Sequence, residues 1–401
     1  MTTNSNFHKF LVLQAGARMH YAVPALLAEQ GLLKRFYTDL HGSHLLLKVV
    51  KQFLPSSLQP KPLKRLLGRK LPKSLSPDLV KDQFFYNLLY PLLRKINAQL
   101  ISPEEEIFSL IEQEGFAGAT ALYTNYINSD LELVKQAKEK GLYCVHELII
   151  GADVGRILLE ERQLFPGIEP QGESLNEVET GIQRDIQKWQ TVDQILVPSQ
   201  YCFDSSVALG AEPAKISIVP YGINEQWLTI EAQPEPGRVL FVGQVGLRKG
   251  NHYLAEATRK LQPRLPQLHV RVVGPPLVDI TNPLFAGPDY VGQVPRSLVR
   301  EEFAKADVFV LPTLAEGMAL VHLEAMACGI PIITTPHCGS VVRDGIEGFI
   351  VPIRDSNLLS ERIEQLATDR QLRERMGQAA KERAKDYTWK RYGARLLAAI
   401  T

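Results

Sequence analysis

Two acidic residues, Glu316 and Glu324, lie eight positions apart in the segment Glu316-Gly-Met-Ala-Leu-Val-His-Leu-Glu324-Ala-Met-Ala-Cys-Gly329-Ile-Pro331. Carboxylates accept hydrogen bonds from vicinal hydroxyls, so a pair on one ligand could hold a sugar and a ribose. Upstream, the run Val239-Leu-Phe-Val-Gly243-Gln-Val-Gly246-Leu-Arg248-Lys249-Gly250 carries two adjacent cations at a glycine-containing turn. Cations so placed can neutralise a diphosphate leaving group, the main electrostatic need of glycosyl transfer. Taken alone, Glu316 also fits a capping acid, Glu324 a solvated helix residue and the cations a surface turn. It is their joint occurrence that suits a nucleotide sugar.

These side chains need elements to position them. Asp307 to Pro312 reads as a strand, and the helix that follows should stop at Gly329, with Pro331 opening the next strand. Glu316 then lies on the strand-to-helix loop and Glu324 inside the helix, while a second helix starts near Asn251. Gly317 and Ala319 would let a ligand approach the backbone closely. In open parallel sheets ligands bind at the carboxyl ends of strands, where helix N-termini offer unpaired N–H groups to phosphate.

Short Val- and Ile-rich runs alternate with amphipathic stretches along the whole chain, the pattern of strands and crossover helices in an α/β protein with parallel sheets. Strands are expected at Phe10 to Leu13, Arg35 to Thr38, Ala121 to Thr124, Tyr143 to His146, Gln194 to Val197 and Ser217 to Val219. A second set is expected at Arg238 to Val242, His269 to Val273, Asp289 to Val291, Val308 to Leu311, Pro331 to Thr334 and Phe349 to Val351. The stretch from Gly222 to Gly237 has no apolar period and reads as a linker and hinge. Residues 386–401 form a terminal helix that can pack on either domain.

At 401 residues, two domains are the natural expectation. Apolar residues make up 45% and charged residues 22%, which excludes disorder and fibrous classes. A net charge of +1 removes any global case for nucleic acid. The average hides a basic stretch from His41 to Lys81, with nine Lys or Arg against Asp78 alone. Pro55, Pro60, Pro62 and Pro72 divide it into short pieces. Its lysines, interleaved with leucines at Leu45 to Lys51 and Leu63 to Leu67, read either as a solvated surface or as a patch for an acidic acceptor or an anionic membrane. Cys144, Cys202, Cys328 and Cys338 are far apart, so neither a disulfide framework nor a structural zinc is indicated. No signal peptide or membrane span is expected, and a cytoplasmic placement fits, with peripheral contact on the inner membrane face as an option.

Together the segments resemble the family 4, or group 1, retaining glycosyltransferases of the GT-B fold. The resemblance covers residues 190 to 392 and rests on Val197-Pro-Ser199, Val219-Pro-Tyr-Gly222, Gly243 to Gly250, Val273-Gly274, Ala306-Asp-Val308, the two-glutamate segment, Asp344-Gly-Ile-Glu-Gly348 and Trp389 to Tyr392. It implies two Rossmann-like parallel-sheet domains facing a central cleft: 1–222 on the acceptor side, with 41–81 as an insert, and 223–385 for the donor. It further implies sugar transfer from a nucleotide-diphosphate sugar to a glycan, lipid or small-molecule acceptor, without cofactor or metal.

Carried over by motif, Lys249 would contact the donor diphosphate, Glu316 the sugar hydroxyls and Glu324 the ribose. Backbone around Gly317, Met318, Ala319 and Leu320 would face phosphate or sugar. Gly16, Gly243 and Gly274 are further donor-side positions, and the base would meet backbone near Gly292 to Pro295, Val294 included. His146, at a strand end, is the candidate catalytic histidine, with His20 as the weaker alternative. The chain departs from the family at Gln244, where Arg is usual and Arg248 could substitute. It departs again at Met318 and Ala319, where Phe and Gly are usual, and at Cys338 to Arg343, where a Gly-Gly-x-Pro-Glu pattern is absent. An epimerase or hydrolase acting on the donor alone, or a non-catalytic nucleotide-sugar binder, remains open at this point.

Overall fold

A computed structural model of the chain describes residues 7–44, 47, 53, 54, 59–127 and 129–401. Of the basic stretch, Leu45, Leu46, Lys48, Lys51 and Pro55 lie outside the described residues. The chain forms two parallel sheets. The first contains β1 (Phe10–Leu13), β2 (Leu33–Thr38), β3 (Val80–Asp82), β4 (Ala121–Thr124), β5 (Tyr143–Glu147), β6 (Gln194–Val197) and β7 (Ile216–Ile218), in the order β3-β2-β1-β4-β5-β6-β7. The second contains β8 (Arg238–Val242), β9 (His269–Val273), β10 (Asp289–Gly292), β11 (Val308–Leu311), β12 (Ile332–Thr334) and β13 (Gly348–Ile350), in the order β10-β9-β8-β11-β12-β13.

Both orders run outward from the first strand and then reverse, the doubly wound arrangement. The central strands β1, β4 and β11 are buried along their whole length, which explains their unbroken apolar sequences. Expected strands match observed ones within two residues at either end, and β3 is an addition. It has three half-buried residues and pairs with β2 at the sheet edge, so it carries no apolar signature.

The chain divides into two compact units. One comprises Met1–Glu147, Gln183–Leu196 and Ile400–Thr401, the other Leu148–Ile182 and Val197–Ala399. The sequence reading sets its boundary at 222, whereas residues 148–182 and 197–222 group with the second unit. The expected hinge also lies inside that unit, because its backbone finds partners there. Ile223 pairs with Thr388, Gln233 N–H donates to the Ala304 carbonyl, and Trp227 stands edge-on to Phe303. The terminal helix, Trp389–Ile400, buries Tyr392 and Leu396, and Arg395 donates to the carbonyls of Pro220 and Tyr221.

Candidate functional site

In the second sheet the winding reverses between β8 and β11, which pair through Val239 with Val308 and Leu240 with Phe309. Loops leaving the carboxyl ends of these two strands are therefore neighbours although far apart in sequence. The β8 loop runs through a short 3-10 turn, Leu247–Lys249, into the helix Asn251–Leu261. The β11 loop runs from Pro312 to Ala319 into the helix Leu320–Ala327. Neither helix start, at Gly250 or at Ala319, has a side-chain cap. Two helix N-termini with their partial positive charge thus open from adjacent strands.

The loops are tied together by backbone. The Arg248 carbonyl accepts from Leu314 N–H at 2.8 Å and from the Thr313 hydroxyl at 3.0 Å, and the Thr335 hydroxyl donates to the Thr313 carbonyl at 2.6 Å. Gly250, in the left-handed region at φ +68°, lies so close to Pro312 that a Cβ there would stand 2.0 Å from its carbonyl oxygen. Gly317 is equally confined, since a Cβ would fall 2.0 Å from the Ile149 oxygen, and its own carbonyl accepts from the Ser199 hydroxyl.

On this frame Lys249 Nζ lies 2.6 Å from the Glu316 carboxylate, and the Arg248 guanidinium pairs with the same carboxylate oxygen. Arg248 also donates to the Ala315 carbonyl, which fixes its head. Burial works against charge on Glu316. The charges of Lys249 and Arg248 and their hydrogen bonds outweigh it, holding the carboxyl below its usual range. The carboxylate is therefore ionised at neutral pH, and two cations against one anion leave the cluster net positive.

Glu324 sits half-buried within the helix that Glu316 precedes. Met318 and Ala319 are buried, Leu320 is half-buried, and the Met318 sulfur accepts from Tyr221 N–H. Gly243 N–H donates to the Val273 carbonyl and Gly274 N–H to the Gly292 carbonyl, stitching the turns after β8, β9 and β10 edge to edge. Val294 follows β10, two strands away from β8 in the sheet.

Gly16 and His146 belong to the first unit. Gly16 takes a left-handed turn at φ +66°, and its N–H is engaged by the Asp39 carboxylate at 2.8 Å. His146 is buried in β5, paired with Thr124 and Ile195 on either side. Burial first, and then the charge of Lys188, push its pKa well below the ordinary value, so the ring is neutral. Its Nδ1 has no hydrogen-bond partner among the described residues. His20 adopts a left-handed conformation, between Met19 and Tyr21 in the same region.

Three groups escaped the sequence reading, two of them near these loops and one in the first unit. His322, in the first turn of the helix Leu320–Ala327, is buried against Phe309 with Cys338 Sγ 3.5 Å from its ring nitrogens. Burial, then Lys249, lowers its pKa to about 3 despite Glu316. Glu169 accepts from the Leu247 N–H at 2.8 Å, directly on the cationic turn. In the first unit Glu147 gathers Tyr123, Asn125 and Arg18 at the carboxyl ends of β1, β4 and β5. His322 stands between two apolar residues in a motif already noted; Glu169 had no sequence signal, lying in an aperiodic connection.

The architecture is that of the GT-B glycosyltransferases: two Rossmann-like parallel-sheet halves, the second with its cationic turn and acidic loop at the switch point. Residues 229–383 match the family model for glycosyl transferases group 1. A D-inositol 3-phosphate glycosyltransferase of Kribbella flavida is 29% identical over 47% of this chain and 51% of its own length. The chain thus spans about half the length of that relative. A protein of the same description from Paenarthrobacter aurescens is 26% identical over 81% of this chain and 78% of its own. Among solved structures, Anabaena HepE in complex with UDP and glucose superposes with a TM-score of 0.64 at 15% identity, over 98% of this chain and 99% of that one.

Proposed function

We propose that this chain is a retaining glycosyltransferase that moves a sugar from a nucleoside-diphosphate sugar to an acceptor. The observation that carries the reading is the meeting of Lys249, Arg248 and Glu316 between two uncapped helix starts. Diphosphate departure needs positive charge that is already in place, and fixed cations with oriented N–H groups supply it without reorganisation. Lys249 and Arg248 neutralise the leaving diphosphate, Glu316 orients sugar hydroxyls, and Glu324 holds the ribose. The acceptor hydroxyl attacks an oxocarbenium-like centre on the face the leaving group vacates and passes its proton to the departing diphosphate, so no protein base is obligatory. The names of relatives support this reading, as does the UDP and glucose bound in the similar solved structure. The basic stretch 41–81 is read as the side that meets an anionic membrane surface.

The test is product formation from a panel of nucleoside-diphosphate sugars with candidate acceptors, including inositol phosphates and lipid-linked glycans. Transfer should proceed unchanged in the presence of a chelator, with the anomeric proton retaining its configuration by NMR. Glu316→Ala should lower turnover at least a hundredfold, with the melting temperature checking the fold. Turnover equal to wild type would remove Glu316 from the site. Release of free sugar from the donor with no acceptor dependence would make the enzyme a hydrolase, and tight binding without turnover would make it a binder.

A further inference from the structure

The helix Phe84–Ile96 presents Phe85, Leu88, Leu89, Leu92, Leu93 and Ile96 to solvent, Leu92 at 62% exposure and Ile96 at 85%. At 100° per residue these six fall on one arc roughly 140° wide. Monomeric proteins rarely leave such a contiguous apolar stripe open. Asn87, Tyr90 and Arg94 lie on the opposite arc, and the Tyr86 hydroxyl, on its flank, donates to the Ile101 carbonyl. Pro91 deprives the Asn87 carbonyl of its helical donor, and that carbonyl falls on the polar arc, where water or headgroups can serve it.

We propose that this helix lies in the surface of an anionic bilayer, its apolar arc at the headgroup–acyl boundary. The proposal rests on the reading of 41–81 as membrane-facing and transfers the apolar anchor to a different element. Charge selects this occupant. No acid occurs from Gln83 to Ser102, whereas Arg94 and Lys95 are exposed in the last turn. At the other end Phe84 packs into a cluster with Leu47 and Leu67, backed by Leu63 and Leu66, and His44 stacks on its ring. The apolar helix is thereby continuous with the basic stretch, whose Lys64, Lys70 and Lys73 are exposed. The first-turn acids Glu104, Glu105 and Glu106 of the next helix lie beyond Ile101, on the Tyr86 side. Insertion of an apolar arc flanked by cations is the binding mode of interfacial helices. A symmetric pairing of two copies through the stripe would instead bring together two surfaces that both carry cations, with no acid between Gln83 and Ser102 to offset them.

The experiment is flotation of the full chain with phosphatidylcholine vesicles, with and without phosphatidylglycerol, at low and high salt. The chain should float with the phosphatidylglycerol vesicles at low salt. A Leu88→Ser, Leu92→Ser double variant should partition at least tenfold less, with its circular dichroism and melting temperature unchanged because both side chains are exposed. Lys64→Ser with Lys70→Ser and Lys73→Ser should weaken the binding and flatten its salt dependence. Wild-type flotation that the double variant keeps in full overturns the helix while leaving the membrane reading of 41–81 standing. No flotation of the wild type on either vesicle overturns both. Sedimentation showing a dimer that the double variant dissociates, without flotation, makes the stripe an interface between copies and likewise overturns the proposal.

Discussion

Glu316 keeps a charge where burial penalises one, because Lys249 and Arg248 reach it from a neighbouring loop. His322, also buried near them, has lost its charge for the complementary reason. The two therefore respond differently to acid. An unfolded histidine titrates near pH 6.5, whereas His322 in the folded chain binds its proton only near pH 3. Between those values the unfolded state holds more protons, so stability is full above about pH 6.5 and falls as the pH drops toward 3, by up to about 1.4 kcal/mol per unit. His322→Asn should remove this contribution. Chemical denaturation of wild type and variant between pH 7 and 4.5 should show a shallower slope in the variant, and parallel slopes would refute the assignment. Glu316 adds its own loss as the pH falls from the ordinary carboxylate value of about 4.3, where the unfolded chain protonates, toward its depressed folded value.

At the scale of elements, the site depends on how closely two strand-to-helix loops approach. Gly250 is the contact point, left-handed and against the Pro312 carbonyl. Gly250→Ala meets both a conformational penalty and a backbone collision, each costing about 1–3 kcal/mol. A loss of at least about 2 kcal/mol is expected by urea unfolding, together with weaker nucleoside-diphosphate binding, because Lys249 moves with the turn. Unchanged stability would mean that the loops are not in contact at this point. Gly317 shares the collision alone, against the Ile149 carbonyl oxygen, without a left-handed backbone. The sequence reading assigns Gly317 to ligand approach, whereas the fold shows protein backbone occupying the space beside it.

At the scale of the whole molecule, the segment Leu148–Ile182 leaves the first unit and joins the second through a buried carboxylate. Glu161, on the helix Val154–Leu164, is fully buried and accepts from His252 Nε2 at 2.7 Å, the Tyr253 hydroxyl at 2.8 Å and Arg354 Nε at 2.7 Å. Burial opposes its charge, but these partners hold its pKa below the ordinary value. Glu161→Ala would take the shared acceptor from three donors, His252, Tyr253 and Arg354, at a cost of about 3–5 kcal/mol. Limited proteolysis should then cut the 165–174 connection faster than in wild type, and equal rates with equal unfolding midpoints would show that the cluster does not hold the segment.

Local pattern was enough to read the alternating α/β order, the ends of most strands, the helix that stops at Gly329, and the residue types of the cationic turn and acidic loop. Each depends on side-chain period or on a glycine within a few positions, which a linear chain displays directly. The edge strand β3, the transfer of 148–182 to the second unit and the burial of His146 and His322 were not legible, because each depends on what packs against the residue and not on its neighbours in sequence. The exposed stripe on Phe84–Ile96 shows the limit from the other side, since its periodicity reads as an ordinary core face and only the fold leaves it uncovered. The meeting of Lys249 with Glu316 lies between these cases. Sequence supplied the groups, but their contact required β8 and β11 to be adjacent, a consequence of where the sheet reverses its winding and of hydrogen bonds between strands nearly seventy residues apart.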